Sequence, residues 1–293
     1  MKLQGAITAL ITPFKENGEI DYDAFRKHTR NQIKAGINGI VPLGTTGESP
    51  TIEKEEREQI IKISVEEAKK KIPVIVGTGS NSTKKTIEET KEAEKLGADA
   101  ALIVSPYYNK PTQEGLYRHF EAIANETNLP IIVYNIKGRT GVNIETSTLK
   151  RMSQLKNIVA VKEASGDINQ MGDVINELPK SFTVLSGDDS MTLPLMVLGG
   201  KGVISVISNL FPEKTVAMTS AALKGNWEEA RKIHYELLPF MKVAFIETNP
   251  IPIKTSMNLC GWKGGSFRLP MCEMQPQNME KLSAVLKQMR MLK

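Results

Sequence analysis

No apolar run in this sequence is long enough to cross a bilayer. The longest, Ala100 to Val104 and Pro130 to Tyr134, fall far short of the roughly 20 residues a spanning helix needs, so no membrane association is expected. Cysteine is scarce: Cys260 and Cys272 lack Cys-x-x-Cys spacing, which leaves a redox pair or thiolate metal site without support, and both read as reduced bystanders. Histidine is equally sparse. His28, His119 and His234 are far apart in helical patterns, so no metal site is expected. The run Gly77-Thr78-Gly79-Ser80-Asn81-Ser82 lacks the third glycine of a dinucleotide fingerprint, and no P-loop pattern occurs; no nucleotide, nicotinamide or other cofactor is expected. The segment from Met1 to Ala6 has neither the apolar core nor the small-residue cleavage site of a signal peptide, so a cytoplasmic location is expected.

A basic block is missing too. The net charge of +5 comes from Lys and Arg interspersed with Asp and Glu, which argues against a nucleic-acid partner and suits small anionic substrates. The one basic run, Lys69-Lys70-Lys71, closes a helical stretch opened by Glu53, Glu55 and Glu56, and so complements the helix dipole.

Among what is present, strand-like runs alternate with amphipathic helical stretches through three quarters of the chain, the pattern of a parallel sheet covered by helices. Strands are predicted at Ala6 to Ile11, Gly39 to Leu43, Val74 to Gly77, Ala100 to Ser105, Ile131 to Asn135, Ile158 to Lys162, Thr183 to Ser186 and Gly202 to Val206. Eight strands, each followed by a helix, predict an α/β fold of the (β/α)8 TIM-barrel type. Glycines recur where helices should end, at Gly36, Gly97 and Gly199. After the eighth strand only helical patterns remain, with Pro212 starting one and Asn226 capping the next. A barrel domain over residues 1–224 and a C-terminal helical extension over 225–293 are therefore expected, moving as one rigid body.

Barrel enzymes carry their chemistry at the C-terminal ends of strands. In Ile158-Val159-Ala160-Val161-Lys162-Glu163-Ala164 the period-2 alternation sets Ala160, Lys162 and Ala164 on one face, with Val159 and Val161 on the other. Two small neighbours leave room for an inward lysine. Enclosure would disfavour its ammonium form and yield a neutral amine able to attack a carbonyl; a lysine reaching solvent from the strand end is the alternative. The fifth strand ends in Tyr134-Asn135, and Gly44-Thr45-Thr46-Gly47-Glu48-Ser49 follows the second. A phenol and a hydroxyl near an amine can relay the protons that imine formation requires. The seventh strand runs into Asp188-Asp189, whose charges would repel a phosphate; both are read as caps of the following helix, and an unphosphorylated substrate is expected.

Taken together and in order, Gly44 to Ser49, Pro106-Tyr107-Tyr108-Asn109-Lys110-Pro111, Tyr134-Asn135 with Gly138-Arg139-Thr140-Gly141, Val161-Lys162-Glu163, Ser186-Gly187-Asp188-Asp189 and Asn249-Pro250-Ile251-Pro252 resemble the dihydrodipicolinate synthases. These belong with the pyruvate-dependent class I aldolases that include N-acetylneuraminate lyase. The resemblance implies that Lys162 forms a Schiff base with pyruvate and that the enamine attacks aspartate semialdehyde, giving 4-hydroxy-tetrahydrodipicolinate on the route to lysine. It implies Tyr134 as the proton donor and acceptor, linked through Thr45 to Tyr108 of a neighbouring subunit. The partner implied is therefore a second copy of the chain, in a dimer or a tetramer built as a dimer of dimers. The amides around Thr45 and Thr46 would hold the pyruvate carboxylate, Arg139 the second carboxylate in a two-pronged grip, and the main chain at Gly187 and Ile204 would complete the wall. An aldolase acting on a sialic or deoxy sugar acid, in which Arg139 would lose its meaning, and a non-catalytic keto-acid sensor are the competing readings. Two departures carry expectations of their own. Lys54, Arg57 and Lys85 occupy the stretches that bind lysine in regulated members, so repulsion should weaken lysine inhibition. Lys137 stands where the family usually has proline, so the Arg139 loop should be loosened.

Overall fold

The computed structural model describes residues 2–292. Its eight strands are β1 (Gly5–Ala9), β2 (Gly39–Val41), β3 (Ile75–Gly77), β4 (Ala100–Val104), β5 (Ile131–Asn135), β6 (Ile158–Glu163), β7 (Thr183–Ser186) and β8 (Gly202–Ser205). Each overlaps a strand predicted from the sequence. All ladder pairs are parallel, in the order β2-β1-β8-β7-β6-β5-β4-β3. A parallel bridge between Ile40 and Val74 joins the two ends of that order, and Gly77 N donates to Pro42 O at 3.0 Å across the same seam. The sheet is therefore a (β/α)8 barrel.

The helices are α1 (Tyr22–Lys34), α2 (Lys54–Ala68), α3 (Thr83–Lys95), α4 (Gln113–Glu126), α5 (Lys137–Thr140), α6 (Thr146–Met152), α7 (Ile168–Glu177), α8 (Thr192–Leu198), α9 (Pro212–Leu223), α10 (Trp227–Val243), α11 (Ile251–Leu259) and α12 (Pro276–Gln288). Gly36, Gly97 and Gly199 carry the positive φ that closes a helix cheaply only at glycine. Asn226 caps α10 by accepting from Glu229 N at 3.2 Å.

Three apolar layers follow from this winding. Outward strand residues such as Val133 and Val161 pack under the helices with Phe25, Phe120 and Leu149. Inward ones, among them Ile7, Ile132, Ala160, Leu185 and Ile204, fill the barrel interior with Tyr134. Phe211, Phe240, Ile253, Met257 and Leu282 form a third cluster together with the barrel-end residues Ile11, Val206 and Ile207, so the last three helices sit on the rim where the site lies.

The expected alternation in β6 fails at one residue. The pairing of β5 with β6 jumps from Ile131↔Ile158 to Ile132↔Ala160, leaving Val159 unpaired and packed against the interior cluster. An extra residue in a strand shifts the facing of its neighbours. Beyond the shift the ladder is regular, and Tyr134 pairs directly with Lys162.

Candidate active site

Lys162 and Tyr134 come together because adjacent strands present their inward residues at the same height. Lys162 lies one residue from the C-terminal end of β6 and is 5% exposed, as is Tyr134 on β5. Lys162 Nζ sits 4.1 Å from the centroid of the Tyr134 ring. Burial disfavours the ammonium and brings the Lys162 pKa down to about 7; Asp189 opposes that shift and Arg139 adds to it. Burial also pushes the Tyr134 phenol up to about 12, so at neutral pH it keeps its proton and can donate it.

The pair lines a cavity of about 40 Å³ with Thr45, Thr46, Arg139 and Gly187, a space suited to a small substrate. Six of the eight residues singled out from the sequence therefore share one site. Ile204 is buried in the barrel interior beneath it, and Val206, the next inward position on the rim, lines the cavity in its stead. Tyr108 is 89% exposed at φ 71°, on the loop after β4 and away from the chain's own cavity.

Gly187 matters for its missing side chain. A Cβ there would lie 2.8 Å from Ala164 Cβ and 3.0 Å from Lys162 Cε, so the lysine stem occupies the space a larger residue would take. Its amide is tied to Glu163 O at 2.7 Å. Glu163 itself is buried on the far side of the strand end, where it accepts from Ser165 N at 2.6 Å and Asn135 Nδ2 at 3.1 Å. Those bonds fix the end of β6 from which Lys162 projects.

The segment after β2 forms two successive 3-10 turns, Thr45–Gly47 and Ser49–Thr51. Arg139 lies on α5 as an exposed residue at the cavity edge, and its Nη2 donates to Asn249 O at 3.2 Å. Asn249 Nδ2 donates to Thr46 Oγ1 at 3.0 Å. Asn249 belongs to a motif quoted above yet carried no assigned role, because nothing local in the sequence links it to residues 46 and 139.

Three expectations need correction. Asp188 does cap the turn before α8, accepting from Ser190 N at 2.8 Å. Asp189, however, is buried and accepts from Ser205 Oγ at 2.5 Å and Val206 N at 2.9 Å, so it holds the end of β8 rather than a helix. Burial raises its pKa to about 6. Second, the Arg139 segment is a helical turn rather than an irregular loop: Lys137 is the first residue of α5, and Arg139 N and Thr140 N both reach Ile136 O, at 3.2 and 3.1 Å. The N–H that lysine adds falls where a helix has no acceptor to offer in any case. Third, the cleft near Lys54, Arg57 and Lys85 is not net positive. Lys54, Arg57, Lys84 and Lys85 face Glu53, Glu88, Glu89 and Glu92, and Arg57 pairs with Glu89 at 2.9 Å. The charge argument for weak lysine inhibition fails there.

A closed barrel with a buried amine at the C-terminal rim, where barrel enzymes carry their chemistry, places the chain in the (β/α)8 class. The model of the dihydrodipicolinate synthetase family matches residues 2–289, and the chain belongs to that family. A relative from Protochlamydia amoebophila, named 4-hydroxy-tetrahydrodipicolinate synthase, is 52% identical over 292 residues, which is 99% of this chain and 97% of that one. The crystal structure of dihydrodipicolinate synthase from Thermotoga maritima matches with a TM-score of 0.96 at 46% identity over 99% of both chains. That of the chloride-inhibited dihydrodipicolinate synthase from Acinetobacter baumannii complexed with pyruvate gives 0.97 at 41% identity, over 99% of this chain and 100% of the other.

Proposed function

We propose that the chain condenses pyruvate with aspartate semialdehyde to 4-hydroxy-tetrahydrodipicolinate through a Schiff base on Lys162. The observation that carries this reading is the buried Lys162 amine, with a pKa of about 7, over the Tyr134 ring in a small cavity. About half of such an amine is neutral at pH 7 and able to attack the C2 carbonyl of pyruvate. Tyr134 gives its phenolic proton to the carbinolamine oxygen, which leaves as water, and the tyrosinate recovers a proton from C3 as the imine becomes the enamine. The enamine carbon then attacks the aldehyde, whose oxygen takes the proton Tyr134 has just recovered, and the amino group of the second substrate adds to C2 and expels the Lys162 amine, which closes the ring and frees the lysine for the next turnover. Thr45 shares the proton relay, while Thr46 and the amides of its turn hold the pyruvate carboxylate. Arg139 meets the carboxylate of the second substrate, with Gly187 and Ile204 contributing main chain.

The exposed Tyr107-Tyr108 pair supports assembly with a second copy, which would bring its Tyr108 to this cavity and receive the reciprocal one. The chain works with pyruvate and the semialdehyde alone, in the cytoplasm and without a cofactor. Arg139 beside the cavity favours a carboxylate-bearing aldehyde over a sugar. Incubation with pyruvate and each aldehyde in turn tests this: turnover with aspartate semialdehyde should exceed that with N-acetylmannosamine by orders of magnitude, and the reverse preference would replace the reading by that of a sugar-acid aldolase.

A further inference from the structure

The rim segment formed by Asn249 and the start of α11 touches both carboxylate-holding sides of the cavity. Asn249 gives its side-chain N–H to Thr46 Oγ1 and receives Arg139 on its carbonyl. One turn later Lys254, 0% exposed, donates to Glu48 Oε1 at 2.6 Å, Thr12 O at 2.9 Å and Ser266 O at 2.6 Å. All three ammonium protons thus have acceptors. The faces of Phe14 and Phe267 lie 4.5 and 4.9 Å from the same nitrogen. Glu48 directly follows the Thr45–Gly47 turn and holds a left-handed φ of 55°, a conformation that a non-glycine residue keeps when its surroundings over-determine it.

We propose that Asn249 and the Glu48–Lys254 pair are positioning residues. They clamp the Thr45–Gly47 turn at its middle and just past its C-terminal end and tie it to Arg139, so the two carboxylate sites are set by one segment some 200 residues from the turn. Because Thr46 Oγ accepts from Asn249, its own proton is left free to point at a substrate oxygen. The clamp acts on substrate placement rather than on the amine, so its loss should appear in KM before kcat. This inference rests on the proposed carboxylate roles of Thr46 and Arg139.

The test is steady-state kinetics of Asn249→Ala, Glu48→Ala and Glu48→Gln, with borohydride trapping at saturating pyruvate as a separate readout. Asn249→Ala and Glu48→Ala should raise KM for pyruvate on the order of 10-fold, as expected of sub-ångström misplacement, with a smaller change in kcat. Asn249→Ala keeps the main-chain carbonyl that Arg139 reaches, so KM for the semialdehyde should change less than that for pyruvate. Glu48→Gln, which keeps an acceptor for Lys254, should restore KM to within about twofold of wild type. A purely structural role would lower thermal stability and leave KM unchanged, and that result overturns the clamp. Asn249→Ala removes no charge, and it decides the matter if Glu48→Ala does not accumulate as folded protein. Failure of wild type itself to trap pyruvate would instead refute the Schiff-base reading on which the clamp depends.

Discussion

Replacing Lys162 by methionine should make the protein more stable at neutral pH while removing its activity. The folded-state pKa of Lys162 is about 7, against 10.5 for a solvated lysine, with burial as the main cause. Between those values the unfolded chain binds a proton that the folded one does not, so stability rises with pH across that window. Below pH 7 both states are protonated and the full cost of burying the charge is present; above 10.5 both are neutral and it vanishes. A 3.5-unit interval at about 1.4 kcal/mol per unit bounds the cost at roughly 5 kcal/mol. Methionine has a similar shape and no charge, so Lys162→Met should gain about 2 to 5 kcal/mol at pH 7, and most of that gain should be gone by pH 10. Chemical denaturation of both proteins at pH 7, 8.5 and 10 measures this directly, since pH effects common to both cancel in the difference. A Met variant that is no more stable than wild type at pH 7, or whose advantage does not shrink with pH, would refute the buried-amine argument.

Other outcomes follow from the same geometry. Gly187→Ala should place a methyl group against Lys162 Cε and Ala164 Cβ, costing about 1 to 3 kcal/mol in overpacking and slowing Schiff-base formation by up to about 100-fold through displacement of the amine; an unchanged trapping rate would mean that the lysine has another path. Tyr134→Phe keeps the ring beside Lys162 and removes the proton carrier, so kcat should fall by about 100-fold or more with a much smaller change in pyruvate affinity; an unaltered kcat excludes Tyr134 from proton transfer. Lys137→Pro puts proline at the first position of α5, where its fixed φ is compatible, so thermal denaturation should detect a stabilisation of up to about 1 kcal/mol; a clear loss of stability would show that the N–H of Lys137 has a partner.

The barrel was legible because parallel strands buried on both faces are written as short β-branched runs, and eight such runs leave few alternatives. Lys162 could be found because small residues flank it at period 2, and Tyr134 because it stands one residue from the end of the neighbouring strand. What escaped was set by register and by distant segments. Nothing in Ile158-Val159-Ala160 announces the shift that leaves Val159 unpaired, since a bulge is fixed by the partner strand. Asp189 reads locally as a helix cap, yet its acceptors are satisfied by the end of β8, a strand later. Asn249 meets Thr46 across 203 residues. The charge of the cleft does not follow from Lys54, Arg57 and Lys85 alone, because Glu88, Glu89 and Glu92, one to two turns along α3, face the same cations. The absence of proline before Arg139 suggests a freer loop, whereas the segment is a helical turn whose hydrogen bonds to Ile136 O lysine leaves intact.

The central claim is tested most directly by borohydride reduction in the presence of pyruvate at several pH values, followed by peptide mass mapping. A single adduct on Lys162 is predicted, with an initial trapping rate that climbs through pH 7 as the amine loses its proton and with no adduct in Lys162→Met. An adduct on any other lysine, or none at all with the folded protein, would contradict it.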